Sequence, residues 1–224
     1  MIECFATAED LADAATRVVS MSLRSGLADR GHATLIGTGG RSPERTYDQL
    51  SDAELDWGRV TVSLSDDRFV GDDDPASNAR LVRERLLVGR AASARFVPLS
   101  RPVADMALAA EIADPEIHKL APYDVLMLGM GEDGHIASLI PGDPDLGLGM
   151  DPESAVFVRP VPAGLGTPPV ARITLTLAAL LQARSTLVLI SGSLKRQIIE
   201  QGSGLPIHAL LARAGSHTRI FWTP

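Results

Sequence analysis

The feature that most constrains the fold is a series of short, largely apolar segments, each followed by a turn and a helical pattern. These segments are Ala33–Gly37, Val60–Leu64, Val125–Leu128 and Leu187–Ile190. A short apolar run is typical of a strand that is buried on both faces of a sheet. Because strands and helices alternate through short connections, the sequence predicts an α/β fold with a mostly parallel sheet and helices on both faces. We expect one compact domain over residues 1–224.

Helix signals occur between these strands. Apolar residues form one stripe from Thr7 to Arg30, with Thr7 and Asp10 resembling a capping box and Gly31 a stop signal. Further helices are predicted to open at Pro43 and to cover residues 77–87, 103–118 and 195–200. Additional strands are predicted near residues 96–98 and 219–222, and residues 173–181 are predicted to run from strand into helix.

Composition limits the classes of function. Apolar residues make up 45% of the 224 residues and charged residues 22%, which excludes a disordered chain. The net charge of −7 argues against a nucleic-acid-binding or acidic-membrane surface, but a local cluster of bases can still bind a small anion. The single cysteine, Cys4, excludes an internal disulfide and a multi-cysteine zinc site. No targeting or membrane-spanning segment is recognisable, so we expect a cytoplasmic protein.

Ligands of parallel α/β sheets bind at the carboxyl ends of strands, which directs attention to four turns. The first turn contains Gly39, Gly40, Arg41 and Ser42, followed by Pro43. Consecutive glycines allow a ligand to approach the backbone closely, and free N–H groups at a helix start favour phosphate. The spacing is not that of a P-loop. The alternative is an ordinary strand-to-helix turn.

The second turn places Asp66 and Asp67 beside Arg68. These groups can polarise a substrate or simply pair with one another, and a solvated loop is the alternative interpretation. The acidic run Asp72–Asp74 follows, but it has no neighbouring histidine or cysteine, and we predict no metal site.

The third turn, Gly129–His135, has the spacing G-x-G-x-x-G after an apolar strand. A dinucleotide site is disfavoured, because Pro141 and Gly142 leave no room for the long helix that such a site requires. We predict only a short helix here, with His135 near its start. A histidine at a strand end can exchange a proton near neutral pH, and Asp133 can orient its ring.

The fourth turn, Ser191–Lys195, carries one of only two lysines in the chain, and Arg172 opens another predicted strand. Each cation alone is more often a surface charge. Together with Arg41 and the glycine turn, they predict a phosphate-binding site on an acidic protein.

Taken in order, these blocks resemble the glucosamine-6-phosphate isomerase/6-phosphogluconolactonase family, and within it the lactonases. The most specific block runs from Gly129 to Gly142, and the others are Gly39–Pro43, Asp66–Val70 with Asn78, Arg172–Thr176, and Gly192 with Lys195. The resemblance implies a Rossmann-like fold shared with the deaminases of the family. It also implies hydrolysis of 6-phospho-D-glucono-1,5-lactone to 6-phospho-D-gluconate without a metal or organic cofactor.

The same resemblance implies roles for individual residues. His135 is the expected general base that activates water, with Asp133 and Asp66 in the site as orienting groups. Arg68 is expected close to the substrate. The residues expected to hold the phosphate are Gly39, Gly40, Arg41, Ser42, Arg172 and Lys195.

The chain departs from the usual lactonase pattern at three positions. Asp67 stands where a glutamate is usual, Arg41 where a small hydroxyl residue is frequent, and Ile136 where threonine is commoner. Ile136 matches the deaminases better, but these continue with Ala-Phe-Asn-Glu-Pro, whereas residues 137–141 here lack a carboxylate.

Lactone hydrolysis is therefore favoured. A deaminase-like isomerase and a non-catalytic sugar-phosphate sensor remain as alternatives, and a nicotinamide-dependent oxidoreductase is a distant third. The expected partner is a phosphorylated sugar lactone. The sequence does not determine the oligomeric state, and it is compatible with a monomer.

Overall fold

The computed structural model describes residues 2–224, which form two sheets and eight α-helices. The strands are β1 (Ile2–Cys4), β2 (Ala33–Gly37), β3 (Val60–Leu64), β4 (Asp66–Arg68), β5 (Arg95–Phe96), β6 (Val125–Leu128), β7 (Val158–Val161), β8 (Arg172–Leu175), β9 (Thr186–Ser191) and β10 (Thr218–Thr223). The helices are α1 (Ala8–Arg30), α2 (Glu44–Ser51), α3 (Asn78–Arg85), α4 (Met106–Leu120), α5 (Leu146–Gly149), α6 (Leu177–Leu180), α7 (Ser193–Gln201) and α8 (Pro206–Ala214).

The larger sheet has seven strands in the order β1-β10-β9-β6-β2-β3-β5, and every neighbouring pair is parallel. All residues of β2 and β6 are buried. Since alternate side chains of a strand face opposite sides, both faces of the sheet are covered at its centre. The predicted α/β class, with its mostly parallel sheet flanked by helices, is confirmed.

The strand order reverses beside β2. The next strands of this sheet along the chain, β3 and β5, lie on one side of β2, and the later strands β6, β9 and β10 lie on the other. Ligands of open α/β sheets bind at such a reversal, outside the carboxyl ends of the strands. Here β2 and β6 lead directly into the glycine-rich turns that begin after Gly37 and Leu128.

The first helix is built as its sequence signals predict. The Thr7 hydroxyl accepts a hydrogen bond from the Asp10 backbone N–H at 3.1 Å. Gly31 ends the helix in the left-handed region, at φ 76°, where glycine has no steric penalty. Within residues 2–224, no helix is both long and apolar enough to cross a membrane.

The sequence suggested a simple turn at Ser65–Val70, but the structure does not have one there. The central residues of this segment form β4, which pairs antiparallel with β8, and β8 pairs antiparallel with β7. These three strands make a second, smaller sheet. A strand of only three residues, all of them charged, has no apolar pattern by which it could be recognised.

The short helix predicted after the third turn is also absent. Residues 135–140 form a tight turn with a bridge between Ile136 and Leu139. Gly134 and Ala137 have positive φ values of 78° and 50°, and this left-handed backbone interrupts any helix. His135 therefore lies on a loop and not near the start of a helix.

Candidate functional site

A cleft of about 540 Å³ opens at the carboxyl ends of β2, β6 and β9. All of the predicted site residues except Asp133 line it, and Asp133 contacts a residue that does. The predicted residues along the cleft are Gly39, Gly40, Arg41, Ser42, Asp66, Arg68, His135, Arg172 and Lys195. They come from five separate parts of the chain, which the two sheets bring together.

The glycine turn after β2 is held from below by Tyr47 of α2. The buried Tyr47 hydroxyl donates to the Thr38 carbonyl at 2.7 Å and accepts from the Thr38 N–H at 2.8 Å. A Cβ atom at Gly37 would lie 2.6 Å from this hydroxyl, so the close approach requires glycine. Two hydrogen bonds from one rigid side chain thus fix where the turn begins.

Beyond Thr38, the turn presents unused donors. Within residues 2–224, the backbone N–H groups of Gly40, Arg41 and Ser42 make no hydrogen bond. They precede the N-terminus of α2, where the helix dipole favours an anion. Gly40 has φ 85°, a conformation that glycine adopts without strain.

Lys195 supplies a cation from the first turn of α7. It is half-buried, and burial lowers the pKa of its ammonium group. The nearby charge of Arg41 lowers this pKa further, whereas Glu132 opposes the shift. The two cations lie close enough to repel each other, so a bound anion would relieve an unfavourable interaction.

His135 and Asp133 form the most defined polar contact of the cleft. The His135 Nδ1 atom lies 2.6 Å from Asp133 Oδ1, and the same oxygen accepts the His135 backbone N–H at 3.2 Å. The hydrogen bond from His135 lowers the pKa of Asp133. Asp133 is therefore ionised near neutral pH and can only accept, so the neutral imidazole carries its proton on Nδ1 and has Nε2 available as an acceptor.

The position of the imidazole is fixed by a glycine as well. A Cβ atom at Gly131 would overlap the His135 ring. The turn is closed by backbone hydrogen bonds from Gly131 N–H to the His135 carbonyl at 2.9 Å and from Gly134 N–H to the Gly131 carbonyl at 3.1 Å. Within residues 2–224, Nε2 has no hydrogen-bond partner, and His135 lines the cleft.

Asp66 is a buried residue of the cleft lining. Its carboxylate accepts the Ser138 hydroxyl at 2.6 Å and the Ser65 hydroxyl at 3.2 Å. The Arg172 Nη1 atom lies 3.9 Å from the same carboxylate and 3.5 Å from the Ser138 hydroxyl. Asp66 therefore organises the groups around Arg172.

Arg68 and Arg172 are direct partners across β4 and β8. Burial lowers the pKa of Arg172, with the Arg68 charge acting in the same direction and Asp66 against it. Within residues 2–224, the buried Nε atoms of both arginines have no hydrogen-bond partner. A pair of facing guanidinium groups with unused donors is suited to an anionic ligand.

Asp67, one of the three residues that depart from the lactonase pattern, caps α3. Its carboxylate accepts the backbone N–H groups of Asn78 at 2.6 Å, Ala79 at 3.2 Å and Arg68 at 2.9 Å. Burial nevertheless raises its pKa to about 6, an effect that Asp66 reinforces and the three hydrogen bonds oppose. Asp67 thus joins β4 to the start of α3, and it does not line the cleft.

The sequence did not single out Tyr47, Ser138 or Thr174 as site residues. The Thr174 hydroxyl accepts the Ser138 backbone N–H at 2.9 Å and thereby fixes the turn after His135. Ser138 lies within the most specific sequence block, and this was the available signal. Thr174 likewise lies within the Arg172–Thr176 block, whereas nothing in the sequence around Tyr47 indicates a role in the site.

The acidic run of the second turn remains outside the cleft. Asp72, Asp73 and Asp74 are exposed. In the part of the chain that the structure describes, no group of three or more histidine, cysteine, aspartate or glutamate side chains is arranged to hold a metal ion.

The loop from Pro141 to Pro152 is fastened to β7. Its Asp143 carboxylate accepts Arg159 Nη1 at 2.7 Å, and the two side chains are 0% and 9% exposed. Asp143 also accepts the Asp145 backbone N–H at 2.9 Å. This loop contributes no lining to the cleft, whose rim includes Thr167 from the following connection.

Known proteins resemble this chain over almost its whole length. A family model described as glucosamine-6-phosphate isomerases/6-phosphogluconolactonase matches residues 6–222. The chain belongs to this family.

Similar members of the family include two curated bacterial proteins. A 6-phosphogluconolactonase of Pseudomonas aeruginosa is 41% identical, with 100% of this chain and 94% of the relative covered. One from Caulobacter vibrioides is 37% identical, with 99% and 96% covered. The crystal structure of a 6-phosphogluconolactonase from Shewanella baltica superposes with a TM-score of 0.93 at 30% identity, covering 100% of this chain and 97% of that one.

Proposed function

We propose that this member of the family hydrolyses 6-phospho-D-glucono-1,5-lactone to 6-phospho-D-gluconate. The observation that carries the proposal is the 2.6 Å contact between His135 Nδ1 and Asp133, at a cleft that also holds an anion-binding turn. The likeness to two relatives named 6-phosphogluconolactonase, over 94% and 96% of their length, supports the same reaction.

His135 is the proposed general base. Because Nδ1 donates to Asp133, the unprotonated Nε2 takes a proton from water as the water oxygen attacks the lactone carbonyl carbon. The tetrahedral intermediate then collapses, and the bond between this carbon and the ring oxygen breaks. The ring oxygen receives the proton from the imidazolium and becomes a hydroxyl group, and the new carboxylic acid ionises in solution.

The phosphate would be held away from the reacting carbon. We assign it to the N–H groups of residues 39–42 together with Arg41, Lys195 and Arg172, with Arg68 beside the substrate. Binding energy from this remote group positions the carbonyl against His135. Asp66 acts in this scheme as the buried partner that orients Arg172 and Ser138, and no metal or organic cofactor is required.

The deaminase alternative requires a carboxylate that the chain lacks. In the deaminase pattern Ala-Phe-Asn-Glu-Pro, the glutamate aligns with Ile140, which is a buried apolar residue here. Nothing at that position can take part in a histidine relay for ring opening. The cleft therefore supports attack by water on an activated ester better than isomerisation.

A coupled assay on freshly generated 6-phosphogluconolactone tests the proposal. We expect turnover well above the spontaneous hydrolysis rate, and we expect EDTA to leave it unchanged. A rate no higher than the spontaneous rate would reject lactone hydrolysis. Ammonia release from glucosamine 6-phosphate would instead identify an isomerase, and tight binding of 6-phosphogluconate without turnover would identify a sensor.

A further inference from the structure

Asn78 lies between the two sheets and lines the cleft. It is the first residue of α3 and is only 2% exposed. Its Nδ2 donates to the Asp66 backbone carbonyl at 2.9 Å, and its own backbone N–H donates to Asp67. Its Oδ1 accepts a hydrogen bond from Arg68 Nη1. Asn78 thus contacts all three residues of β4.

The same amide touches the glycine turn. A Cβ atom at Gly39 would overlap the Asn78 side chain, so the turn and the amide are in direct contact. The amide oxygen that accepts from Arg68 is also the amide atom nearest to Gly39 in the candidate phosphate-binding turn. Asn78 therefore sets the separation between Gly39 and Arg68.

Only one nitrogen of the Arg68 guanidinium group makes hydrogen bonds within residues 2–224. Its Nη1 atom donates both to Asn78 Oδ1 and to the Ala76 carbonyl, the latter at 3.1 Å. Within residues 2–224, neither Nε nor Nη2 makes a hydrogen bond. This arrangement immobilises the guanidinium while leaving its other donors unused, and an arginine that is fixed in advance loses less side-chain entropy when it binds an anion.

We propose that Asn78 is a positioning residue that fixes Arg68 beside the Gly39–Ser42 turn for recognition of the anionic substrate. The proposal rests on the function proposed above. An amide suits this position because it is neutral and offers both a donor and an acceptor. An aspartate would accept from Arg68 equally well, but it would lose the donor to Asp66 and place a negative charge where an anion must bind.

The test measures binding of 6-phosphogluconate by calorimetry in four proteins: wild type, Asn78→Ala, Arg68→Ala and the double variant. We expect Asn78→Ala to raise the Kd by roughly tenfold or more, the usual effect of losing a contact that supports a charged group. In the Arg68→Ala background, the same substitution should change the Kd less than twofold. An undiminished effect there, or a Kd near the wild-type value in Asn78→Ala, would overturn the proposal.

Ser77→Ala is the matched control. Ser77 caps the same helix by accepting the Arg80 backbone N–H at 3.1 Å, but it does not contact Arg68. It should lower the melting temperature without raising the Kd. If Ser77→Ala weakens binding as much as Asn78→Ala does, Asn78 acts only through the stability of α3 and the proposal fails.

Nitrogen NMR of the unmutated protein gives a second test that needs no folded Asn78 variant. The Arg68 Nε–H signal, assigned by its loss in Arg68→Lys, should be distinct from those of exposed arginines before any ligand is added. An Arg68 Nε–H signal at the chemical shift of the exposed arginines would show that the guanidinium group is not fixed before the ligand binds. If wild type binds 6-phosphogluconate but does not hydrolyse the lactone, the proposed function fails while both tests of Asn78 still stand.

Discussion

Arg68 and Arg172 face each other across two antiparallel strands, with the carboxylate of Asp66 only 3.9 Å from one of them. Like charges in directly paired positions destabilise a sheet unless something neutralises them. A single buried aspartate cannot neutralise two guanidinium groups. The arrangement therefore stores an unfavourable interaction that an anionic ligand relieves.

The first prediction concerns selectivity for the phosphorylated substrate. Arg172→Ala or Lys195→Ala should lower kcat/KM for 6-phosphogluconolactone by roughly 10–150-fold, the equivalent of about 1.5–3 kcal/mol for a lost charged contact. Slow turnover of unphosphorylated gluconolactone should hardly change. Arg59→Ala, which removes an exposed arginine, is the control. Equal proportional losses on both lactones would contradict the phosphate assignment.

The second prediction concerns the general base. His135→Ala should lower kcat by about 10²–10⁴-fold with little effect on folding, because proton transfer from water loses its acceptor. Steady-state kinetics, corrected for spontaneous hydrolysis, measure the change. His32→Ala, at an exposed histidine, should leave kcat unchanged. Near-normal turnover in the His135 variant would place the base elsewhere.

The third prediction separates orientation from proton transfer. Asp133→Asn should lower kcat substantially while His135 remains present, because an amide can donate to Nδ1 and so favour the tautomer that is protonated on Nε2. That tautomer cannot accept a proton from water. The loss of kcat should be largest at the pH at which the wild type is most active. Circular dichroism should show that the variant remains folded. Unchanged kinetics would mean that the 2.6 Å contact has no catalytic role.

The central parallel sheet was predictable, but the smaller sheet was not. Strands β2, β3 and β6 were predicted residue for residue, because buried central strands are short apolar runs. The charged strand β4 and the strand β7, which contains Arg159 and Pro160, lack this pattern. Helix α8 was also not anticipated.

The same distinction applies to the site. Asp133 and His135 are two residues apart, and their contact follows from local backbone geometry alone. The pairing of Arg68 with Arg172 joins distant parts of the chain through a sheet that the sequence did not reveal. The support of Thr38 by Tyr47 depends on how α2 packs beneath β2, which residue spacing does not encode.

The fourth prediction tests that support. Tyr47→Phe should lower the free energy of unfolding by about 1–3 kcal/mol, because it leaves the Thr38 N–H and carbonyl groups without their partner. It should also raise KM for the phosphorylated lactone as the turn loses its anchor. Denaturant unfolding and kinetics measure the two effects.

Tyr123→Phe is the matched control for Tyr47→Phe. Its hydroxyl is likewise buried, but it has no hydrogen-bond partner in the part of the chain that the structure describes. Removing it should leave stability unchanged or slightly increased. Equal losses in the two variants would show that the bonds to Thr38 contribute nothing specific.

The fifth prediction is a pH dependence of stability that arises from Asp67. Burial raises its pKa from 3.8 to about 6, so the folded state holds this proton more tightly than the unfolded state. The resulting stabilisation is complete below the lower pKa and is lost as pH rises through the higher one. Relative to Asp67→Asn, the wild type should therefore lose stability between about pH 4 and pH 6, by about 1.4 kcal/mol per unit at most. Unfolding curves at a series of pH values measure this difference, and a flat or rising difference would contradict it.

The buried ion pair between Asp143 and Arg159 bears on how quickly the cleft can capture its ligand. Because this pair anchors the neighbouring loop to β7, we expect that loop to stay in place when a ligand enters the cleft. The rate at which the ligand reaches the cleft then depends on diffusion and on the electrostatic field at the cleft entrance. On a chain of net charge −7, most of the surface repels an anion, whereas the cations of the cleft attract it. The association rate should accordingly fall as salt is added, while the geometry of the bound state stays the same.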